Sequence, residues 1–159
     1  MRRSDRAQSL EFSLQLIDNC THGVVALSTG EETPYCLPLS LVRVGHSLYF
    51  HCAREGRKVD LLRANPNVCV TFVGGDVPTF LPPAMYTSYF QSAIVTGTAC
   101  EVTEKEEKIT ALRALCQKLT PDHMDSFELA LEKSLAVTGV WRIDMDSISG
   151  KAKIAPTHT

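Results

Sequence analysis

Apolar residues recur along this chain with two different periods, and the change from one to the other divides it into elements. Ala7, Leu10, Leu14 and Ile17 have the spacing of one helical face, which predicts an amphipathic helix from Ser4 to Cys20 with Ser4 or Asp5 as its N-cap. From Gly23 the period shortens. The runs GVVAL (23–27), YCLPLSLVRV (35–44), SLYFHC (47–52) and NVCVTFVG (67–74) are rich in β-branched and aromatic residues and are separated by Gly, Pro, Asn and Glu, which predicts four strands. Gly45-His46 is short enough to join the second and third as a hairpin. Pro38 cannot donate to a ladder, so its place inside a run predicts an edge, a bulge or a ligand-facing break.

The stretch from Gly75 to Tyr89 contains Pro78, Pro82 and Pro83 and has no clear period, and it reads as an irregular loop, a lid or a subunit-contact segment. Strand character resumes in QSAIVTGTACEV (91–102). Thr103 and Glu106 have the spacing of a capping box, and Ile109, Leu112, Leu115, Cys116 and Leu119 mark one face of a second helix. A third helix is predicted from Pro121 to Ala136, with Met124, Phe127, Leu131 and Leu135 inward. In the closing strand, 137–150, Val140, Arg142, Asp144 and Asp146 alternate with Trp141, Ile143 and Met145. Short connections exclude most parallel crossovers, so the elements predict an α+β fold: an antiparallel barrel with peripheral helices, one domain over 1–159 and an ordered core of about 4–152. Trp141 reads as core or interface packing.

A formal charge of −2 on 159 residues gives no sign of a general nucleic-acid or membrane-surface binder. The charged opening MRRSDRAQSLEF lacks a secretory signal's apolar stretch, so a cytoplasmic location with no membrane contact is expected. The six cysteines form no C-x-x-C pair, and Cys52 and Cys69 lie in apolar runs where a thiol acts as a small hydrophobe. The five histidines include no H-E-x-x-H and no pair at helical spacing, so no metal site is expected.

One stretch runs against simple electrostatics. In LYFHCAREGRKVDLL (48–62) a strand leads through Gly56 into a short helix that stops at Asn65-Pro66, placing Arg57 and Lys58 in the first turn. The helix dipole disfavours positive charge there by about 0.3–1 kcal/mol each. Two explanations fit: a solvated turn whose cations pair with Glu55 or Asp60, or a bound anion held by the helix N–H groups, which makes nearby cations favourable.

With this turn in view, the chain resembles the flavin-nucleotide-binding split barrels related to pyridoxamine 5′-phosphate oxidase, in particular the nitroimidazole-resistance branch. The likeness is carried, in order, by SDRAQSLEFSLQLIDNCTHGVVAL, by PYCLPLSLVRVGHSLYFHCAREGRKVDLLRANPNVCVTF, by SAIVTGTACEVTEKEEKITALRALC and by VWRIDMDSISGKAK. It implies an antiparallel split β-barrel of about six strands that holds FMN at a homodimer interface. In that family pattern Arg57 and Lys58 match the pair at the flavin phosphate. Tyr35, Leu37, Pro38, Leu39 and Ser40 match the strand along the isoalloxazine, and His51, Cys52 and Ala53 match the strand end near the ribityl chain and phosphate. Gln91 and Ser92 match a polar pair from the facing strand of the other subunit, with Lys151 of ISGK a further candidate.

The C-terminal arginine-rich segment by which a true pyridoxamine 5′-phosphate oxidase recognises its substrate is absent from the sequence, which points away from vitamin B6 oxidation. The resemblance implies instead an FMN-dependent oxidoreductase that takes electrons from NAD(P)H or another reductant and reduces a small flat acceptor such as a nitro-aromatic compound. His51 stands out as a proton donor because free imidazole titrates near neutrality, against the simpler reading of a hydrogen-bonded barrel histidine. Tyr86, Ser88 and Tyr89 are further candidates for the substrate side, on a stretch whose pattern does not fix their placement. A flavin-binding module without catalysis (a store, relay or sensor) fits the same residues, as does the same fold with a deazaflavin or haem.

Overall fold

The structure, a computed structural model, describes residues 2–156. A 3-10 turn at Ser4–Arg6 leads into a two-residue strand, β1 (Ala7–Gln8), and only then into α1 (Leu10–Asn19). The helix therefore starts at Leu10 rather than Ser4, capped by the Ser9 hydroxyl, which accepts from the Phe12 N–H at 3.1 Å. Ala7 is drawn out of the expected helix because it pairs with Lys151 of the last strand, a partner that local spacing cannot reveal.

The barrel follows as β2 (His22–Leu27), β3 (Tyr35–Ser40), β4 (Val42–Val44), β5 (Ser47–Ala53), α2 (Arg57–Ala64), β6 (Asn67–Leu81), β7 (Met85–Glu101), α3 (Lys105–Leu119), α4 (Phe127–Ser134) and β8 (Thr138–Lys153). All pairings are antiparallel, in the order β3-β2-β6-β7-β8-β5-β4 with β1 beside β8. The two outermost strands of that order, β3 and β4, are separated in sequence by Leu41 alone. A flat sheet could not place its edges so close, so the sheet curls until they meet, and Leu41, 0 % exposed, sits at the seam. The expected run 35–44 is thus two strands on opposite edges, and Pro38 falls on the edge strand β3, where its missing donor costs least. Gly45, at φ 61°, turns β4 into β5.

Val25, Leu48, Phe50, Val70, Phe72, Val95 and Ile143 fill the barrel, and Trp141 joins them as core. Leu16 and Ile17 of α1 and Val59 and Leu62 of α2 add to the same cluster. Outside the barrel, Ala111 and Leu115 of α3 pack on Val42, Tyr49, Val102 and Val140. Lys118 of α3 donates to the Ile17 carbonyl at 3.2 Å and the Leu41 carbonyl at 2.9 Å, tying α3 to α1 and to the seam. Burial lowers its pKa from the ordinary lysine value.

The stretch 75–89, expected as an irregular loop, is instead the outer part of a long β6–β7 hairpin whose pairing resumes at Val77↔Tyr89 after a break in register and runs to Leu81↔Met85. β2 pairs with β6 only as far as Thr71, so beyond it one side of β6 is an edge that tolerates Pro78. The Pro82-Pro83 bond at the tip is cis. Two helix details also differ from expectation. The N-cap of α3 is Glu104, with no side-chain bond, so Thr103 and Glu106 form no capping box. The region 121–136 divides into a 3-10 segment (Pro121–Ser126) and the shorter α4, with Phe127 buried at its start.

Candidate functional site

The ladder sets the level of each predicted site residue. Tyr35 lies opposite Leu27, and Leu27 opposite Val68, where β6 begins after α2; Ser40 lies opposite His22 at the other end of β3. The predicted residues therefore divide between two ends of the barrel, separated along β3 by about 17 Å at the usual rise per residue. Tyr35, the end of β5 and the α2 turn occupy one end. Gln91, Ser92 and Lys151 occupy the other, with Gln91 opposite Gly74, Ser92 opposite Lys151 and the Ser92 hydroxyl donating to the Lys151 carbonyl at 3.3 Å.

At the first end the chain leaves β5 at Ala53 and enters α2 through Gly56, whose φ of 119° is open to glycine and strained for other residues. The Gly56 carbonyl accepts from the N–H groups of Val59 and Asp60 at 2.8 and 3.1 Å. Among the described residues, the N–H groups of Arg57 and Lys58 have no backbone acceptor, and neither side chain lies within ion-pair distance of a carboxylate, so the pairing with Glu55 or Asp60 does not form. Each cation rests instead on a ring. The Arg57 guanidinium carbon is 4.8 Å from the centre of Tyr35, and Lys58 Nζ is 5.7 Å from the centre of Phe50. An aromatic face holds a cation without occupying its N–H donors, so they stay free for an oxyanion. Burial pushes the Cys52 thiol above the usual cysteine value, while the nearby Lys58 ammonium opposes that rise.

Strand alternation separates the remaining predicted residues by face. Tyr35, Leu37 and Leu39 are half-buried against the core, whereas Pro38 and Ser40 are exposed on the other face of β3. On β5, Phe50 and Cys52 contribute to the barrel core; His51 is exposed and opens into a cavity of about 440 Å³ walled by Leu112, Leu115, Cys116 and Leu119 of α3. The hydroxyls of Thr120, Ser134 and Thr138, also at this cavity, are each committed to a backbone carbonyl. The His51 ring makes no hydrogen bond to another described residue, which leaves it open to solvent or a ligand. Sequence reasoning treated the α3 leucines as packing alone. The signal was an apolar stripe, Leu112, Leu115, Cys116 and Leu119, of which Leu112 and Leu119 are only partly buried against the barrel. Tyr86, Ser88 and Tyr89 lie on the outer hairpin, Tyr86 at 86 % exposure and 4.9 Å from Phe80 ring to ring.

An antiparallel barrel with both edges joined through one residue, entered by a cationic helix turn, can be compared with known proteins. The family profile of pyridoxamine 5′-phosphate oxidase matches residues 10–152. The chain belongs to this family. A comparison with curated sequences gives no match. Among solved structures, a proposed 5-nitroimidazole antibiotic resistance protein from Bacteroides thetaiotaomicron is similar, with 25 % identity, a TM-score of 0.79, and coverage of 91 % of this chain and 84 % of that one. The flavocytochrome Anf3 from Azotobacter vinelandii (21 % identity, TM-score 0.82, 98 % and 73 % covered) and an FAD and haem binding protein from Mycobacterium smegmatis (22 %, 0.78, 95 % and 75 %) share the fold. No helix among the described residues is long and apolar enough to cross a membrane.

Proposed function

We propose that this member of the pyridoxamine 5′-phosphate oxidase family is a homodimeric FMN-dependent oxidoreductase that reduces a small flat acceptor such as a nitro-aromatic compound. The observation that carries the reading is the turn at Gly56: two cations, free of carboxylates among the described residues and steadied by Tyr35 and Phe50, stand beside two helix N–H groups without backbone acceptors. That donor set suits a phosphate. Arg57 and Lys58 would hold it, with His51, Cys52 and Ala53 of β5 beside it. Tyr35, Leu37, Pro38, Leu39 and Ser40 would supply backbone polar groups and packing to the ring. The flavin supplies the exchange of electrons between a reductant, NAD(P)H or another, and the acceptor. The apolar cavity at His51 excludes water from a flat ring and offers it one uncommitted imidazole. The similarity to the Bacteroides protein supports a nitro-aromatic substrate, and the solved flavin-binding neighbours support a flavin.

The separation of the two clusters supports a dimer, if both serve one flavin. Gln91, Ser92 and Lys151 cannot reach their own chain's turn, at the opposite end of β3. A twofold axis that sets one copy's β7–β8 end beside its partner's α2 brings them together twice, giving two equivalent sites. The exposed Val24, Val73 and Ile94, 42 %, 62 % and 44 % accessible, provide apolar surface for such a contact. A yellow dimer with one FMN per chain is expected by absorbance and light scattering. A colourless monomer unchanged by added FMN would falsify this reading, and a Soret band without flavin absorbance would replace the flavin by haem.

Arg57→Ala and Lys58→Ala test the turn directly. A charge-assisted hydrogen bond is worth about 1.5–3 kcal/mol, so either substitution should weaken FMN binding about ten- to a hundred-fold in fluorescence titrations. Riboflavin, without the phosphate, should bind wild type and both variants alike. Equal loss for both ligands, or loss for neither, makes the turn an ordinary solvated one.

A further inference from the structure

α3 provides most of the apolar wall of the His51 cavity, yet only two of its residues, Ala111 and Leu115, are fully buried. Apolar contact is non-directional, so two such residues do not by themselves fix the rotation of a helix about its axis. Directional contacts do so here, at both ends. In the first turn Glu107 Oε1 accepts from the Tyr49 hydroxyl at 3.0 Å and from Arg142 Nη1 at 2.6 Å, which ties α3 to β5 and β8. Arg142 Nε lies 2.9 Å from Asp144, and Asp144 accepts from the Ser47 hydroxyl at 2.8 Å, so the guanidinium is itself held in place. Burial, and next the Glu107 carboxylate, raise the Tyr49 phenol above its ordinary value, so it keeps the proton it donates. In the last turn Lys118 holds the Ile17 and Leu41 carbonyls.

Helical spacing puts Glu107, Ala111, Leu115 and Lys118 on one stripe, about 17 Å long, that faces the barrel. Leu112, Cys116 and Leu119 each follow a member of that stripe by one residue and form the neighbouring stripe, which walls the cavity. Tyr49 and His51 share a face of β5, so the first clamp and the cavity stand on the same strand. A rotation of α3 that breaks the clamps therefore carries the leucine wall away from His51. Neither Glu107 nor Lys118 lines the cavity.

We propose that Glu107 and Lys118 are positioning residues of the electron-acceptor cavity: they hold α3 in the rotation that turns Leu112 and Leu119 toward His51 and keeps a wall on which a flat apolar ring packs. The inference rests on the reading of this cavity as the place where the acceptor binds, and it assigns the shape of that place to two polar clamps acting through the leucines.

The test uses the full chain without flavin, so it reads the cavity apart from the cofactor. Nitrobenzene, a neutral flat ring, is titrated while the His51 imidazole resonances, identified by their loss in His51→Ala, are followed by NMR. Lys118→Met keeps the length of the side chain without its donors, and Glu107→Ala removes the first clamp while Arg142 retains Asp144. Each should weaken binding about ten-fold, the scale at which a shaped apolar pocket discriminates. Tyr49→Phe, a milder break of the first clamp, should lose affinity in the same direction and stands in if Glu107→Ala does not fold. Leu112→Ala alone should cost about as much as Lys118→Met, and the two together should stay near that loss instead of reaching the about hundred-fold of independent sites. Lys118→Arg, which keeps the charge and the donors, should bind like wild type. Additive losses, or clamp variants that melt earlier yet bind nitrobenzene like wild type, make the clamps structural only and overturn the proposal. Binding to Lys118→Arg as poor as to Lys118→Met overturns it as well. His51 resonances unmoved by nitrobenzene in wild type overturn both the proposal and the reading of the cavity, whereas failure of the flavin reading shows separately, as a colourless protein unchanged by added FMN.

Discussion

His51→Ala should lower turnover of a nitro-aromatic acceptor about 10²- to 10⁴-fold, the usual worth of a positioned general acid, while FMN occupancy stays near that of wild type. The separation of the two readouts follows from the strand. Phe50, which carries Lys58, contributes to the core, whereas His51 on the other face of β5 opens into the α3 cavity. Removing the imidazole therefore leaves the Gly56 turn intact and deprives the cavity of its uncommitted ring nitrogens. His51→Gln keeps a hydrogen-bond donor of similar reach without acid–base function, so it should bind acceptor like wild type and turn over like the alanine variant. Turnover unchanged in both variants would make His51 a bystander. Loss of flavin in both would move its role to the cofactor.

Phe72→Ala should destabilise the fold by about 3–5 kcal/mol, the range for deleting a buried aromatic ring. Phe72 is 0 % exposed in the barrel core, and its ring packs so closely on β2 that a Cβ at Gly23 would come within 2.9 Å of it. For a chain of this size the loss corresponds to a fall in melting temperature of about 6–20 °C, to be measured at fixed protein concentration because the stability of the proposed dimer would depend on it. Phe72→Leu, which keeps most of the volume, should cost less than half as much. A calorimetric shift of only a degree or two for Phe72→Ala would mean that the barrel collapses around the gap. The site should follow the core: the alanine variant loses FMN on warming at its own lower transition, not before it.

The elements carried most strongly by local pattern are those that the sequence alone makes legible. The β-branched runs at 23–27, 47–52 and 67–74 are strands because alternation with turn residues is a local property, and the stripe Leu112, Leu115, Cys116 and Leu119 forms a helix for the same reason. The Gly56 turn could also be read, since glycine before two cations and a Pro-terminated helix is a contiguous signature. The outer hairpin was hidden because Pro78, Pro82 and Pro83 obscured its alternation, and its ladder depends on the pairing of β6 with β7 rather than on propensity. The two-residue β1 was hidden because its partner lies at the other end of the chain.

The sequence by itself determined most of the elements, their order and the presence of a cationic turn after a glycine, because each depends on neighbours within a few residues. Only the tertiary structure decided where those parts stand. The curl that joins β3 to β4 through Leu41 places Tyr35 under Arg57, and strand parity turns His51 away from the core on which Lys58 rests. The length of β3 separates Gln91, Ser92 and Lys151 from the turn, and β1 carries Arg6 to the Phe90 ring beside Lys151. These relations depend on which strands pair and in what register, and register is set by burying one face of every strand at once, a condition that no local stretch of sequence contains.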